Sequence, residues 1–221
     1  MSVLPPSRYF PPAGDAASEG LVAIGGRLST DWLVDAYTHG IFPWPMGEMD
    51  EPMPWWSPDP RAIIPLDGFH VPRRLRRTIN SGRFKVTRDR AFERVIEGCA
   101  ERFGCDEGTW ITPRMVRAYL QLHESGFAHS VEAWLGGELA GGVYGVAIAG
   151  LFAAESMFYR HSDASKVALV YLVDHLRERG YQLLDIQQLT AHTERFGAVE
   201  ISRAEYLQRL ADALAAQVSW Q

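Results

Sequence analysis

Apolar positions change their spacing along this chain, and each change marks an element. Met115, Val116, Tyr119, Leu120 and Leu122 recur at helical intervals, with Thr112 placed to cap the run, Pro113 in its first turn and Gly126 to stop it. The pattern then becomes that of strands over 129–135, 139–148 and 151–155. Gly136-Gly137 turns the chain between the first two, which predicts a meander of antiparallel strands. After Asp163, Ala168, Leu169, Tyr171, Leu172, Val173 and Leu176 return to helical spacing, and Gly180 ends the run. A strand over 182–187 and a helix over 203–216 follow. Upstream, the same reading gives a strand at 62–66, a basic helix at 72–81, a strand at 84–87 and a helix at 90–102.

Residues 1–62 follow another pattern and suggest a small, turn-rich lead domain, with the remainder, 63–221, as a second domain. Thr30 can cap a short helix through Trp32, Leu33, Ala36 and Tyr37 that ends at Gly40. The stretches Ile41-Phe42-Pro43-Trp44-Pro45 and Pro52-Met53-Pro54-Trp55-Trp56-Ser57-Pro58-Asp59-Pro60 mix prolines with aromatics. Proline holds φ and removes donors, so this region is predicted to be a stiff loop without a helix or a central strand. Mixed strands with helices packed on them argue for an α+β fold. The strand, strand, strand, helix, strand order of the second half resembles the acetyltransferase-like (GNAT) arrangement, and a fold alone does not give a function.

Composition narrows the class. With 221 residues, 47% of them hydrophobic and 22% charged, the chain is long enough for a real core and falls in the globular range. No run of 18 uncharged apolar residues and no basic-then-apolar leader is present, so a cytoplasmic protein away from the membrane is expected; a monomer is the accompanying expectation. Cys99 and Cys105 match no metal or dithiol-redox spacing and read as reduced thiols. The seven histidines include no pair at metal-ligand spacing, so no metal is expected; His123 and His129 flank a predicted turn. The net charge of −5 hides an asymmetry. Arg73, Arg74, Arg76, Arg77, Arg83, Lys85, Arg88, Arg90 and Arg94, against Asp89 and Glu93, make one short segment +7 and leave the rest at −12. Such a block is either a solvated helix face or a polyanion site, because screening lets the local field decide.

Three places carry candidate chemistry. In Leu183-Leu184-Asp185-Ile186-Gln187, an apolar strand places an acid and an amide two apart, hence on one face. A buried acid is costly unless it is paired or used. In Phe152-Ala153-Ala154-Glu155, a second acid is expected to end a strand before a loop. If the two strands are neighbours, both carboxylates meet in a cleft whose negative charge suits a cationic substrate. Finally, Trp44, Trp55, Trp56 and Trp110 offer either core filling or stacking faces for unpaired nucleotides beside the basic block.

The segments Gly40-Ile41-Phe42-Pro43-Trp44, 55–61, 107–112, 141–146, Glu155-Ser156-Met157-Phe158, Ala164-Ser165-Lys166 and Asp185-Ile186-Gln187 together resemble the leucyl/phenylalanyl-tRNA–protein transferases, in order and over about residues 9–210. The resemblance implies transfer of leucine, phenylalanine or methionine from aminoacyl-tRNA to an N-terminal Arg or Lys of an acceptor protein, without metal, ATP or other cofactor. It implies Asp185 and Gln187 as the catalytic pair, with Glu155 beside the reaction centre. It implies stacking of the terminal adenosine by Trp44 and Trp110. Val143, Phe152, Leu169, Leu172 and Leu184 would form the side-chain pocket, and Arg73, Arg74, Arg76, Arg77, Arg83 and Lys85 would contact tRNA phosphate. Ala154 stands where the family commonly has glycine. Val143 and Leu172 replace bulkier pocket residues, and Arg27 stands where an acid is usual. A cell-wall-type aminoacyl-tRNA-dependent transferase and an acyl-CoA N-acetyltransferase are the rival readings. The second is disfavoured because 156–166 contains no glycine to cradle a pyrophosphate. A non-enzymatic RNA-binding module would leave Glu155, Asp185 and Gln187 unused.

Overall fold

The computed structural model describes residues 3–45, 52–101 and 109–221. Cys105, Arg102, and the Glu107 and Gly108 of one family-like segment lie outside the described residues. Ten strands and seven α-helices are present among those described. In the lead segment, β1 (Leu21–Ile24), β2 (Phe42–Pro43) and β3 (Pro54–Trp56) form a three-stranded antiparallel sheet in the order β1-β3-β2, flanked by α1 (Thr30–Thr38). The prolines of this stretch argue against a central strand, and β3 is one. Pro54 stands at the first residue of the strand, where its missing donor costs no ladder bond, and its carbonyl accepts from the Trp44 N–H at 3.2 Å.

The large sheet has seven strands in the order β10-β4-β9-β8-β7-β6-β5. They are β4 (Arg61–Ile63), β5 (Lys85–Arg88), β6 (Ala128–Leu135), β7 (Glu138–Ile148), β8 (Leu151–Tyr159), β9 (Leu183–Gln187) and β10 (Val199–Ile201). Its helices are α2 (Arg73–Asn80), α3 (Phe92–Glu101), α4 (Pro113–Glu124), α5 (Ala164–Arg179), α6 (Ala191–Glu194) and α7 (Arg203–Leu214). The expected meander β6-β7-β8 is antiparallel, and after α5 the strand β9 returns parallel to β8. The Thr112 hydroxyl accepts from Met115 N–H and caps α4, as its Thr-Pro signature suggests. Residues alternating along the strands divide between two faces. One packs with α1, α3, α4 and α7 around Tyr37, Ile63, Phe92, Tyr119, Tyr144 and Leu210. The other packs with α2 and α5 around Leu75, Val143, Phe152, Leu172 and Leu184. Phe10 and Trp55 of the lead segment belong to the first cluster, so that core continues from the lead segment into the large sheet.

Two irregularities shape the centre of the sheet. In the β7/β8 ladder Tyr144 faces Ser156 and Gly145 faces Ala154, which leaves Glu155 as the extra residue of a bulge. Glu155 therefore lies within β8, and the expectation that it ends a strand is corrected. In the β4/β9 ladder, Ala62 faces Gln187 and Ile63 faces Asp185, so Ile186 is the extra residue. The parallel β8/β9 pairing runs only from Leu151 and Leu183 to Ala153 and Asp185. Beyond that point the pairing stops, and residues 154–159 of β8 and 186–188 at the end of β9 line a cavity.

Candidate active site

The cavity has a volume of about 820 Å³ and opens where the two parallel strands stop pairing. Gln187, at the end of β9, is buried and has φ +59, a left-handed conformation that costs a non-glycine residue about 1–3 kcal/mol unless its surroundings hold it. Two contacts hold it. Its backbone N–H donates to Asp185 Oδ1 at 2.9 Å, and its side-chain Nε2 donates to Glu155 Oε1 at 3.2 Å. With the amide nitrogen committed to Glu155, Gln187 Oε1 remains as the acceptor it can offer a ligand.

Asp185 does not line the cavity. It is completely buried and takes a two-pronged salt bridge from Arg61, with Nε to Oδ1 at 2.9 Å and Nη2 to Oδ2 at 2.7 Å; the Tyr206 hydroxyl donates to Oδ2 at 2.9 Å. Arg61 is equally buried. Its Nη1 donates to the Gly40 carbonyl at 3.1 Å, and its guanidinium lies over the Phe42 and Tyr206 rings at 4.6 and 4.4 Å. Burial works against the Arg61 charge, and the adjoining carboxylate more than offsets it, so its pKa is raised. This ion pair joins β4 to β9 and ties the entry of the large sheet to the backbone of Gln187.

Glu155 is partly buried, and burial drives its pKa up to about 8, against the lowering effect of the neighbouring Tyr37 and Tyr119 hydroxyls. Tyr119 donates to Glu155 Oε2 at 3.0 Å. Because that uses the only hydroxyl proton of Tyr119, its short contact with Tyr37 has Tyr37 as donor. The resulting chain Tyr37–Tyr119–Glu155–Gln187 links α1 and α4 to the bulge of β8 and the end of β9. Burial raises the pKa of both tyrosines well above the usual value and keeps them protonated as donors. The cleft with two free carboxylates expected from the sequence is thus not formed. One carboxylate is neutralised by Arg61, and the other holds its proton near neutral pH.

The remaining expected residues divide. Val143, Leu169, Trp44 and Trp110 line the cavity with Glu155 and Gln187. Phe152, Leu172 and Leu184 do not. All three are buried in the core on the α5 face, Phe152 stacked on Trp220 at 5.5 Å; α5 turns Ser165, Lys166 and Leu169 to the opening and Leu172, one turn on, into the core. Trp44 and Trp110 stack on each other at 5.0 Å and 19°, so a base has their outer faces for contact. Trp55 is core, its Nε1 donating to the Gly25 carbonyl. Arg73, Arg74, Arg76, Arg77, Arg83 and Lys85 are exposed and in no ion pair among the described residues, while buried Leu75 and partly buried Ile79 pack α2 against the core. Asp89, His123 and His129 carry ligand-type atoms within 4.8 Å of one another, away from the cavity. His129 already faces Asp89 Oδ2 and the Gly126 carbonyl, and His123 Nδ1 faces the Ala128 carbonyl. Arg61, Tyr206, Tyr119 and Tyr37 had no site role in the sequence reading. The one available signal was an arginine opening the apolar run Ala62-Ile63-Ile64.

Residues 63–211 match the family model described as leucyl/phenylalanyl-tRNA protein transferase, and residues 26–59 match that of its N-terminal domain. The chain belongs to this family. A leucyl/phenylalanyl-tRNA–protein transferase of Magnetococcus marinus is 51% identical over 220 residues, covering 96% of this chain and 92% of the relative. One of Oleidesulfovibrio alaskensis is 55% identical, covering 93% and 84%. Among solved structures, an aminoglycoside acetyltransferase from an uncultured soil metagenomic sample is 18% identical over 49% of this chain, with a TM-score of 0.36. No helix among the described residues is long and apolar enough to cross a membrane. Of the positions expected to depart from the family pattern near the site, Ala154 lines the cavity beside Glu155, Val143 lines it, and Leu172 does not.

Proposed function

We propose that this protein transfers leucine, phenylalanine or methionine from aminoacyl-tRNA to the α-amine of proteins that begin with Arg or Lys, marking them for degradation in the cytoplasm. The observation that carries this reading is the Gln187 amide, fixed by Asp185 and Glu155 and opening on the same cavity as the Trp44–Trp110 pair. The volume suits an aminoacyl-adenosine end, with the side chain against Val143 and Leu169 and the adenine on a tryptophan face.

The ester is already activated, so catalysis consists of placing an amine against it and moving one proton. Gln187 Oε1 accepts a hydrogen bond from the incoming amine and aims its lone pair at the ester carbonyl. The C–N bond forms as the C–O bond to the ribose breaks, and the proton lost by nitrogen ends on the departing ribose hydroxyl. Glu155, able to hold or release a proton near pH 8, stands beside that path, while Asp185 acts as a positioning residue through the Gln187 backbone. A cationic first side chain would lie beside Glu155 and draw its pKa down. An apolar slot separates side chains by only about 1–3 kcal/mol per methylene, so overlap among the three donors is expected. Incubating the protein with radiolabelled leucyl-tRNA and peptides beginning in Arg, Lys or Ala tests the reading. Label should enter the first two only. Transfer to none, or to a peptidoglycan-type precursor instead, overturns it.

A further inference from the structure

One end of the chemistry in the cavity is not used by this mechanism. Three buried side-chain polar atoms among the described residues lack a hydrogen-bond partner, Ser57 Oγ, Tyr144 hydroxyl and His192 Nε2, and of the three residues only His192 lines the cavity. A buried donor left unpaired costs about 1–3 kcal/mol, which a ligand in the cavity would recover. Around it the lining is cationic. Arg195, just beyond α6, is exposed and has no ion pair among the described residues, and Lys166 stands in the first turn of α5. Both lie close enough to disfavour a charge on His192, whose pKa is lowered by burial and then by these two neighbours; the neutral ring, in its Nε2–H tautomer, donates from the unpaired atom. Lys166 Nζ donates to Asp163 Oδ1 at 2.8 Å. Asp163 in turn faces Thr78 of α2 at 3.5 Å and feels the charge of Arg74. The exposed basic face of α2 therefore meets the cavity rim at Asp163 and Lys166. An anionic strand following α2 would arrive at Lys166, Arg195 and His192.

We propose that Lys166, His192 and Arg195 form a phosphodiester subsite that holds the linkage immediately preceding the terminal adenosine of the donor. The inference rests on the transferase reading above and adds to it a contact distinct from the stretch of α2. Two charged side chains and a neutral ring donor match the oxygens of a single phosphodiester, and Asp163 keeps Lys166 in place without cancelling Arg195.

The test compares two donors in transfer to an Arg-initiated peptide: leucyl-adenosine, which has no phosphate, and the leucyl ester of cytidylyl-(3′→5′)-adenosine, which has one phosphodiester. The wild-type protein should show a KM about tenfold lower for the dinucleotide. In Arg195→Ala and in His192→Ala that ratio should fall towards one, and Arg195→Lys should restore part of it. A ratio that stays near tenfold in both alanine variants overturns the subsite, as does a wild-type ratio of one. Tryptophan fluorescence titrations with uncharged cytidylyl-adenosine and adenosine give the same ratio from Kd. If wild type transfers leucine from neither donor, the transferase reading falls, and the fluorescence ratio still decides the phosphate contact by the same criterion.

Discussion

Replacing Arg61 by methionine should separate the stability of this fold from its chemistry. Arg61 and Asp185 are each about 1% exposed, and the substitution removes two charged hydrogen bonds of 2.9 and 2.7 Å from the carboxylate. Asp185 then keeps only the Tyr206 hydroxyl and the Gln187 N–H, and a buried carboxylate loses its counter-charge. Breaking one side of such a pair costs about 3–5 kcal/mol, a large part of the ~5–15 kcal/mol that holds a typical domain together. Urea unfolding followed by circular dichroism should therefore show a midpoint shift of that size. Pairing the change with Asp185→Leu removes the stranded charge, and most of the stability should return, because apolar replacement of a buried pair is commonly neutral or better. Transfer activity should not return, since nothing then accepts the Gln187 N–H and its φ of +59 loses its anchor. A loss under ~1 kcal/mol in Arg61→Met, or full transfer by the double variant, would refute the reasoning.

Glu155 binds its proton more tightly in the folded chain than unfolded, at about 8 against 4.5, so its contribution to stability is full below pH 4.5 and is lost as pH rises through about 8; Glu155→Gln should flatten that decline in denaturation curves between pH 6 and 9. Tyr119→Phe withdraws a donor from Glu155 and leaves the Tyr37 hydroxyl without its acceptor, which should cost about 1–3 kcal/mol and move the Glu155 titration, followed by NMR of labelled carboxyl carbons, to still higher pH. Trp44→Ala and Trp110→Ala should each weaken donor binding by about 1–3 kcal/mol, read as a rise in KM for leucyl-tRNA with a smaller change in kcat. At Gly145, opposite the bulge, an added Cβ would lie 2.3 Å from the Ala153 carbonyl oxygen, so Gly145→Ala should displace Glu155 and lower kcat although it lines no part of the cavity; an unchanged kcat would count against the bulge as the device that presents this acid.

What could be read in the sequence was local. The cap of α4 is written in Thr112-Pro113, and the turn of β6 into β7 in Gly136-Gly137, so both are fixed within a few residues. The strand β3 was obscured because proline excludes a strand interior and not its first position, where Pro54 stands. Short elements such as α6 and β10 give too few positions to show a period. The bulge at Glu155 depends on Tyr144 and Gly145 across the ladder, and no spacing within β8 reveals it. The Arg61–Asp185 pair joins residues 124 apart, and the Tyr37–Tyr119 contact joins residues 82 apart. Their partners were visible only as an arginine and two members of apolar helix faces. The pocket residues show the same limit: Leu169 and Leu172 share a helix and a chemistry, and only the first reaches the cavity.

The central claim is that Gln187, held by Asp185 and Glu155, meets the reacting ester in the cavity beside Trp44 and Trp110. A crystal structure with a non-reactive amide analogue of leucyl-adenosine measures this directly. The acyl carbonyl carbon should lie within about 3.5 Å of where an amine bonded to Gln187 Oε1 would stand, with the adenine on one of the two tryptophans. An analogue bound elsewhere, or with its acyl group turned away from Gln187, would contradict the account.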